Sequence, residues 1–541
     1  DQLHYSSLVK NNTTQHYQPP STMATTLKSK SSNVEQVGGE VGLHSYSQEE
    51  LEAFTDYISS VLQDDPHLSN LMPIGKDGLF DAVKNGVLLC KLINVAIPGT
   101  IDERVINTKE NNNPWQRNEN HNLAINSAQG IGCTVVNIQP EAINEGRAHI
   151  ILGLVWQIIK IGLLSDINLK EHPELVRLLE PNEELSDLLK LTPEQILLRW
   201  VNYHLKEAGT SRRCKNFTTD IGDSEVYTIL LKQIAPNGEC NMTPMDEPDH
   251  EKRADKMLNG ADRIGCRKFL TPKDVVKGHP KLNLAFVANL FNTYPKLDKV
   301  DLTDYADLLE FGGEGTREEK SFKFWIQSLG IDINNLFEDV RNGVVLLKLF
   351  DKVEPGIVDW KKANMAPKNK YQAIENDNYA IQLADKLKFV TVNQSGPEIY
   401  DKNKKLILGM IWQLMRQNLL NTLKELGDGK PVTDQDVLNW ASKKVDDVKI
   451  SSFGDPSLKT GIFLCKVCQG VSARSVNPDL ITPGESDEDA LQNAKYAISV
   501  ARKIGAVVFL LPEDIVEVKQ KMIFAFSAAL MKVDLVGGAN N

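Results

Sequence analysis

The stretch DAVKNGVLLCKL at residues 81–92 recurs almost unchanged as EDVRNGVVLLKL at residues 338–349. Weaker copies are LKTGIFLCKV at residues 458–467 and DIGDSEVYTIL at residues 220–230. In each copy a short polar turn precedes an apolar run. The glycine at this junction in three of the copies favours a tight turn into a buried helix. The sequence therefore predicts four related helical units.

Each unit begins with the same helix-opening signal, a capping box. The boxes open at Ser47, Thr192, Thr316 and Thr433, and an acid or amide follows three residues later. The hydroxyl can accept a hydrogen bond from a backbone N–H of the first turn, while the later side chain bonds back to the cap. Successive boxes are about 117 to 145 residues apart. This spacing exceeds the periods of solenoids and is typical of small independent domains.

The last helix of each unit divides the four units into two types. Units one and three share the segments LGLVWQIIKIGLL at residues 152–164 and LGMIWQLMRQNLL at residues 408–420, whereas units two and four lack the Trp-Gln pair. The order A-B-A-B indicates that a two-domain unit was duplicated. Helical periodicity dominates and strand-like alternation is scarce, so the predicted fold class is all-α.

The boundaries of the units follow from these signals and from composition. We predict domains at residues 47–166, 188–297, 316–421 and 431–535, with a linker at residues 298–315. Residues 1–46 are rich in Ser, Thr, Gln and Asn, so we predict a disordered tail. The linker ends in Gly-Gly-Glu-Gly, which favours a hinge between the two A-B units.

Charge and cysteine content restrict the partners and the compartment. The net charge of −11 over 541 residues argues against nucleic acid as a partner, since phosphate neutralisation needs a broad basic face. Seven cysteines are a sparse and odd set that favours a reducing compartment. The chain contains no run of about 18 apolar residues, so no membrane span is expected. These features predict a location in the cytoplasm.

Two clusters of basic residues remain possible binding surfaces for an acidic protein. The first contains Lys361, Lys362, Lys368 and Lys370, and the second contains Lys402, Lys404 and Lys405. Clusters of this kind also occur on surfaces that simply remain hydrated. Both interpretations stay open at this point.

The sequence contains no pattern that indicates catalysis. Cys465 and Cys468 form the one C-x-x-C motif, but they lie in an apolar helical stretch without a second pair of zinc ligands. The glycine-rich segments lack the lysine of a phosphate-binding loop. Histidines and acidic pairs are scattered along the chain. We therefore predict that the protein is not an enzyme and that it uses neither a metal nor a cofactor.

Taken together, these motifs resemble calponin-homology domains. The resemblance rests on the first helix that contains Trp200, Trp325 or Trp440, on the D-x-x-x-x-G-V-x-L segment, and on the L-G-x-x-W segment of the closing helix. Two such domains in A-B order resemble the actin-binding tandems of α-actinin and spectrin. Two tandems in one chain, over residues 47–535, resemble the fimbrin (plastin) family. The resemblance implies four calponin-homology-like helical domains arranged as two tandem pairs.

The resemblance also implies a function. Each tandem would bind one actin filament, so one monomeric chain would cross-link two filaments within the actin cytoskeleton. Domains of this size are about 35 Å across, which implies tight bundles. The alternative is an adapter scaffold in which one tandem binds actin and the other docks a different protein. Residues 1–46 lack an EF-hand loop, so calcium control through this segment is not expected.

Candidate contact residues come from the three regions that bind filaments in the family: the first helix of the A domain, its closing region, and the first helix of the B domain. Solvent-facing charges and amides are the better candidates, because the apolar stripe of each helix fills the core. In the first tandem the candidates are Gln48, Glu52, Asp56, Val136, Asn137, Ile138, Lys160, Glu194 and Gln195. In the second tandem they are Arg317, Lys320, Lys323, Val392, Asn393, Lys402, Lys404, Lys405 and Arg416.

Overall fold

The computed structural model describes residues 33–37, 40–109, 112–135, 138–300, 316–427, 429–445 and 447–539. Apart from one small hairpin, the regular elements of this part of the chain are helices, which confirms the all-α prediction. Most of the predicted tail and of the predicted linker lies outside the described residues. No helix within those ranges is long and apolar enough to cross a membrane.

The first tandem comprises two helical domains. Domain 1 contains α1 (Gln48–Leu62), α2 (Leu79–Ala82), α3 (Val87–Ala96), α4 (Pro114–Gly130), α5 (Pro140–Asn144) and α6 (Ala148–Leu164). Domain 2 contains α7 (Leu185–Leu189), α8 (Pro193–Glu207), α9 (Glu225–Ile234), α10 (His250–Arg263), α11 (Pro272–Lys277) and α12 (Pro280–Thr293).

The second tandem repeats this order of helices. Domain 3 contains α13 (Arg317–Ser328), α14 (Leu336–Val340), α15 (Val344–Val353), α16 (Lys370–Lys386), α17 (Gly396–Tyr400) and α18 (Lys404–Leu426). Domain 4 contains α19 (Asp434–Lys443), α20 (Ile462–Val471), α21 (Asp487–Lys503), α22 (Pro512–Val516) and α23 (Gln520–Ala539). Short 3₁₀ turns join several of these helices in all domains except domain 3, within the described residues.

A β-hairpin precedes domain 1, within the segment at residues 1–46 that the sequence predicts to be a disordered tail. Strand β1 (Asn33–Val37) pairs antiparallel with β2 (Glu40–Tyr46), and β2 packs against α6. Two runs that contain Val and Leu flank Gly38-Gly39, a dipeptide that is a hairpin signal. The Tyr46 ring also contacts the edge of Phe80, with 5.6 Å between centroids. The polar composition of residues 1–46 therefore outweighed the hairpin signal in the prediction from sequence.

The repeated glycine turn occupies the left-handed region in every domain. Gly86, Gly343 and Gly461 have φ angles of 76°, 75° and 70°, and each directly precedes a core helix. Domain 2 has Ser224 at the same place, and its φ of 62° shows that the turn persists without glycine. A Cβ at Gly343 would lie 2.5 Å from the Cβ of Asn376, so glycine is also required there by close packing.

One side chain per domain, which we call the staple, fixes this turn. It is Asn120, Asn376 or Asn493 in domains 1, 3 and 4, and each amide donates to the carbonyl just before the turn residue at 2.8 to 3.0 Å. The same amide bonds a loop residue through both its nitrogen and its oxygen. In domain 2 the Arg253 guanidinium replaces it and donates to the carbonyls of residues 223 and 247.

Contacts within and between the tandems produce one closed arrangement of the four domains. Within the tandems, α6 packs on α12 and α18 packs on α23. Between the tandems, α4 of domain 1 packs along α21 of domain 4, and α4 also contacts α13 of domain 3. Domain 2 contacts domain 3 where the Asn334 amide donates to the Leu191 carbonyl at 3.4 Å. The contact between domains 1 and 4 thus joins the first of the four domains to the last.

Candidate functional site

The loops that follow α4 and α16 contain one group of candidates, and a glutamine on the closing helix holds each loop. Gln157 bonds the backbone N–H and carbonyl of Thr134 at 2.7 and 3.0 Å. Gln413 bonds the same groups of Val390 at 2.6 and 3.1 Å. This pairing explains the Trp-Gln motif of the A-type domains, because the glutamine positions the loop while the neighbouring tryptophan packs against the core.

The second of these loops presents apolar residues to solvent. Val392 is 72% exposed, and Asn393 is exposed with a φ of 61°. In the first tandem Ile138 is half-buried, whereas Val136 and Asn137 lie outside the described residues. An exposed apolar loop held by defined hydrogen bonds is suited to contact another protein.

The candidates on α1 form one row along the helix surface. Gln48, Glu52 and Asp56 are spaced by four residues, and the Gln48 amide donates to the Glu52 carboxylate at 3.4 Å. Asp56 is exposed, while Gln48 and Glu52 are half-buried. Partial desolvation by neighbouring groups, with a smaller contribution from the Glu52 charge, raises the pKa of Asp56 above its ordinary value. The row is therefore acidic and accessible at its C-terminal end.

Two candidate cations on the closing helices bridge to the neighbouring B-type domain. Lys160 on α6 lies 2.7 Å from Glu194 on α8, and Arg416 on α18 lies 2.7 Å from Asp434 at the start of α19. Gln195 is exposed, and its side chain also completes the capping box at the start of α8. The same arrangement in both tandems joins the closing helix of the A domain to the first helix of the B domain.

The start of α13 is also directed towards the B-type domain. The guanidinium of Arg317 pairs with Glu517, and its Nε lies 3.4 Å from Asp514 in domain 4. Lys320 and Lys323 follow on the same helix and are half-buried. Arg317 therefore contributes to packing within the second tandem.

The basic cluster at the start of α18 contains residues in three different environments. Lys402, with a φ of 64°, lies 2.5 Å from Glu338. The Nζ of Lys404 lies 5.1 Å from the centroid of the Phe337 ring, and Lys405 is exposed at the first turn of the helix. Lys402 and Lys404 thus lie next to α14, while Lys405 faces solvent.

A further exposed surface in domain 3 was not among the candidate site residues. Its apolar members are Trp360, Met365 and Tyr371, which are 38%, 50% and 80% exposed. The first basic cluster, at residues 361–370, lies between them in the sequence. The sequence signal for this surface was the alternation of aromatic residues with lysines. Helical periodicity alone does not show that the segment lies outside the core.

Part of the corresponding segment of domain 1 is covered by domain 4. The backbone N–H of Asp102 donates to the Ser499 hydroxyl at 2.9 Å, and the Lys503 ammonium donates to the Val105 carbonyl at 2.9 Å. The Arg104 guanidinium lies 5.6 Å from the centroid of the Tyr496 ring. The two A-type domains therefore differ, because one uses this segment in the contact between tandems and the other exposes it.

The cysteines of the C-x-x-C motif lie inside domain 4. Cys465 and Cys468 are buried on α20, and their thiols donate to the carbonyls of Asn493 and Ala497. Burial raises the pKa of Cys465 to about 12. Among the described residues, no three His, Cys, Asp or Glu side chains are grouped so that they could hold a metal ion. The two thiols therefore act as core side chains.

Comparisons with known proteins agree with this architecture. The calponin homology (CH) domain matches at residues 48–163, 191–296, 316–419 and 431–535. Fimbrin of Dictyostelium discoideum is 52% identical over 505 residues, which cover 91% of this chain and 82% of that protein. Human plastin-3 is 44% identical over 510 residues, covering 90% of this chain and 80% of that protein.

A solved structure has the same arrangement of domains. It is the crystal structure of the actin-crosslinking core of Schizosaccharomyces pombe fimbrin, which is 41% identical to this chain and superposes with a TM-score of 0.79. The match covers 90% of this chain and 100% of the other. The predicted resemblance is thereby confirmed, and the chain belongs to the fimbrin (plastin) family of proteins with four calponin homology domains.

Proposed function

We propose that this chain binds two actin filaments, one through each tandem, and cross-links them into bundles. The observation that supports this function most strongly is the repetition of the A-B tandem with the same interdomain bridges and the same glutamine-held loop. The related crystal structure is that of an actin-crosslinking core, which supports the same function here. We further propose that the protein acts as a monomer in the actin cytoskeleton of the cytoplasm.

In the second tandem the proposed contact surface combines three groups on domain 3. They are the exposed loop at Val392, the start of α18 at Lys405, and the exposed aromatic segment around Tyr371. The apolar side chains would supply buried contact area, and the lysines would supply attraction to an acidic filament. In the first tandem the row on α1 that ends at Asp56 would be part of the corresponding surface.

Paired sedimentation assays test this function. The full chain is expected to pellet with actin filaments at high speed and to pellet filament bundles at low speed. A Tyr371→Ala, Lys405→Glu double variant is expected to keep high-speed binding but lose low-speed pelleting, because only the first tandem still binds. A Glu52→Ala, Asp56→Ala variant removes the hydrogen-bond acceptors of the row on α1 and should do the same from the other side. If one variant removes all binding and the other changes nothing, the adapter function replaces the cross-linker.

A charge-matched control is available in domain 3 itself. Lys352 is exposed at the end of α15, next to Glu354, whose carboxylate accepts a hydrogen bond from Asn421 of α18 at 3.1 Å. Lys405 lies sixteen residues before Asn421 on α18, so the two residues are about 24 Å apart at a rise of 1.5 Å per residue. Lys352→Glu should leave both pelleting assays and their salt dependence unchanged. Equal losses from Lys352→Glu and Lys405→Glu would contradict the proposed surface.

A further inference from the structure

The residue that follows the staple is buried in every domain, but its chemistry differs between the domain types. It is alanine in the B-type domains, where Ala254 and Ala494 are both 0% exposed. In the A-type domains it is ionisable: His121 is 1% exposed and Asp377 is 0% exposed. Because a methyl group fills this position in two domains of the same fold, packing does not by itself require an ionisable side chain here.

Asp377 is the more unusual of the two buried groups. Neither of its carboxylate oxygens has a hydrogen-bond partner in the described part of the chain, although buried polar groups are normally bonded. Burial raises the pKa of Asp377 to about 8, while the charge of Arg341 acts in the opposite direction. Burial also lowers the pKa of His121, whose Nε2 lies 3.4 Å from the Val83 carbonyl. Both side chains are therefore favoured in their neutral forms.

Arg341 is the charged residue that acts on Asp377. It directly follows α14, and its buried Nε has no hydrogen-bond partner among the described residues. Its guanidinium carbon lies 4.3 Å from the centroid of the Tyr400 ring, and its Nη1 lies 3.5 Å from Glu338. The Nε of Arg341 and the carboxylate of Asp377 thus both lack a hydrogen-bond partner among the described residues, and the two side chains interact electrostatically.

Further charged groups lie on α16 and on the elements packed against it. Glu398 on α17 accepts a hydrogen bond from Asn403, and Lys370 on α16 lies 4.9 Å from the centroid of the Tyr400 ring. α15 meets α16 through the backbone at Gly343, which has no side chain to contribute a charge. Lys402, just before α18, pairs with Glu338. Arg341 and Glu338 therefore link Asp377 to the basic cluster.

We propose that Asp377 is a proton-sensitive switch that links the core of domain 3 to the charge of the candidate filament-binding surface at Lys402. The link to filaments rests on the proposed function. While the acid is neutral, Arg341 remains paired with Glu338 and adds a positive charge to this surface. Once the acid ionises, it attracts Arg341 inward, and Glu338 is left with Lys402 alone. The surface then becomes less positive and binds an acidic filament more weakly.

Infrared spectroscopy of the full chain tests the first step. For the wild-type chain we expect a carboxylic-acid C=O band in the difference spectrum between pH 6.5 and pH 9.5. It should be missing from Asp377→Asn and from Asp377→Ala, which has the residue of the B-type domains. If Asp377→Asn does not fold, Asp377→Ala provides the same comparison. A band that these substitutions leave unchanged would overturn the proposal.

Bundling across the same pH range tests the coupling. The concentration of wild-type chain needed for half-maximal low-speed pelleting should rise about fivefold between pH 7 and pH 9. It should stay constant in Asp377→Asn and Asp377→Ala, and His121→Ala should keep the wild-type response. The same pH response in all four proteins would overturn the coupling. No pelleting by wild type at any pH would instead contradict the proposed function, and the infrared band would still decide the state of Asp377.

Discussion

At the scale of single residues, the four domains reach the same backbone turn with different side chains. Asn120, Asn376 and Asn493 bond the turn with a neutral amide, whereas Arg253 does so with a guanidinium. Both groups offer several N–H donors in one plane, so each can bond a turn carbonyl and a loop carbonyl together. The requirement is thus a planar group with several donors near the start of this helix rather than a particular amino acid.

A first prediction concerns the glycine of this turn. Gly343→Ala should destabilise domain 3 by about 2–4 kcal/mol, since alanine is strained at a φ of 75° and its Cβ would overlap Asn376. Gly409→Ala is the control, because Gly409 lies within α18 and a Cβ added there would meet no other side chain within 4 Å. That change should stabilise the helix by about 0.5–1 kcal/mol. Hydrogen exchange of α15 and α18 measures both effects, and equal changes would contradict this account.

At the scale of elements, the docking of α1 on domain 2 depends on ion pairs at its first turn. Glu49 lies 2.9 Å from Lys277, and Glu50 lies 2.8 Å from Lys281. The hydrogen bond from Lys277 is the main cause that lowers the pKa of Glu49 to about 2. Acids in the first turn also interact favourably with the helix dipole. The N-terminus of α1 is therefore held by charge as well as by its apolar face.

A second prediction follows for pH. Because the pKa of Glu49 is lower in the folded chain than its ordinary value of 4.5, its contribution is complete above pH 4.5 and is lost as the pH falls towards 2. Lys277→Met should reduce hydrogen-exchange protection of α1 at pH 6 and make it less sensitive to pH between 4.5 and 2. The effect should stay below about 1 kcal/mol, since the pair is partly exposed. Lys273→Met on the same helix, α11, should match wild type; an identical loss there would argue against the pair.

A third prediction concerns the loop that α18 holds. Gln413→Leu removes both hydrogen bonds to Val390 and should raise the exchange rate of the amides at residues 390–395, with a local loss of about 1–2 kcal/mol. Gln417→Leu is one turn further along α18 and removes only a bond to Asn421 on the same helix. The loop should exchange at the wild-type rate in that variant. A loop unaffected by Gln413→Leu would show that other contacts hold it.

At the scale of the whole molecule, the contact between domains 1 and 4 determines how the tandems are arranged. Arg502 is buried at the end of α21 and donates to the carbonyls of Thr100 and Val508 at 3.0 and 3.1 Å. Burial lowers the pKa of Arg502 to about 10. The Asn126 amide returns a hydrogen bond to the Arg502 carbonyl at 2.8 Å. Domain 1 thus supplies one of the two backbone acceptors for a charge that would otherwise be costly to bury.

A fourth prediction tests this contact. Arg502→Met keeps the length of the side chain but leaves the Thr100 carbonyl without its charged donor, so the contact should lose about 1.5–3 kcal/mol. The two tandems should then separate for part of the time, and small-angle X-ray scattering should report a larger radius of gyration. Lys459→Met is the control, because Lys459 is exposed and pairs with Asp487 within domain 4. An unchanged radius in Arg502→Met would mean that other contacts hold the tandems together.

The turn motifs and the apolar periodicity could be predicted from sequence because they depend on local geometry. Gly86, Gly343 and Gly461 sit where a positive φ is needed, and the four capping residues begin helices within a residue of the expected start. The environment of the candidate site residues could be predicted less well. Arg317, Lys160 and Arg416 have the pattern of surface cations, but each pairs with the neighbouring domain. Helical spacing shows which face of a helix points away from the core of its own domain. It does not show whether another domain covers that face.

The sequence by itself determined the helical class, the four repeats and their A-B order, because these follow from 3.6-residue periodicity and from backbone preferences that act over a few residues. The tertiary structure alone decided that Arg502 and Lys503 join domain 4 to domain 1. A basic pair at the C-terminal end of a helix would also be favourable if it were exposed to water, because it interacts with the helix dipole. Its burial depends on acceptors about 400 residues away along the chain, and no local pattern contains that information.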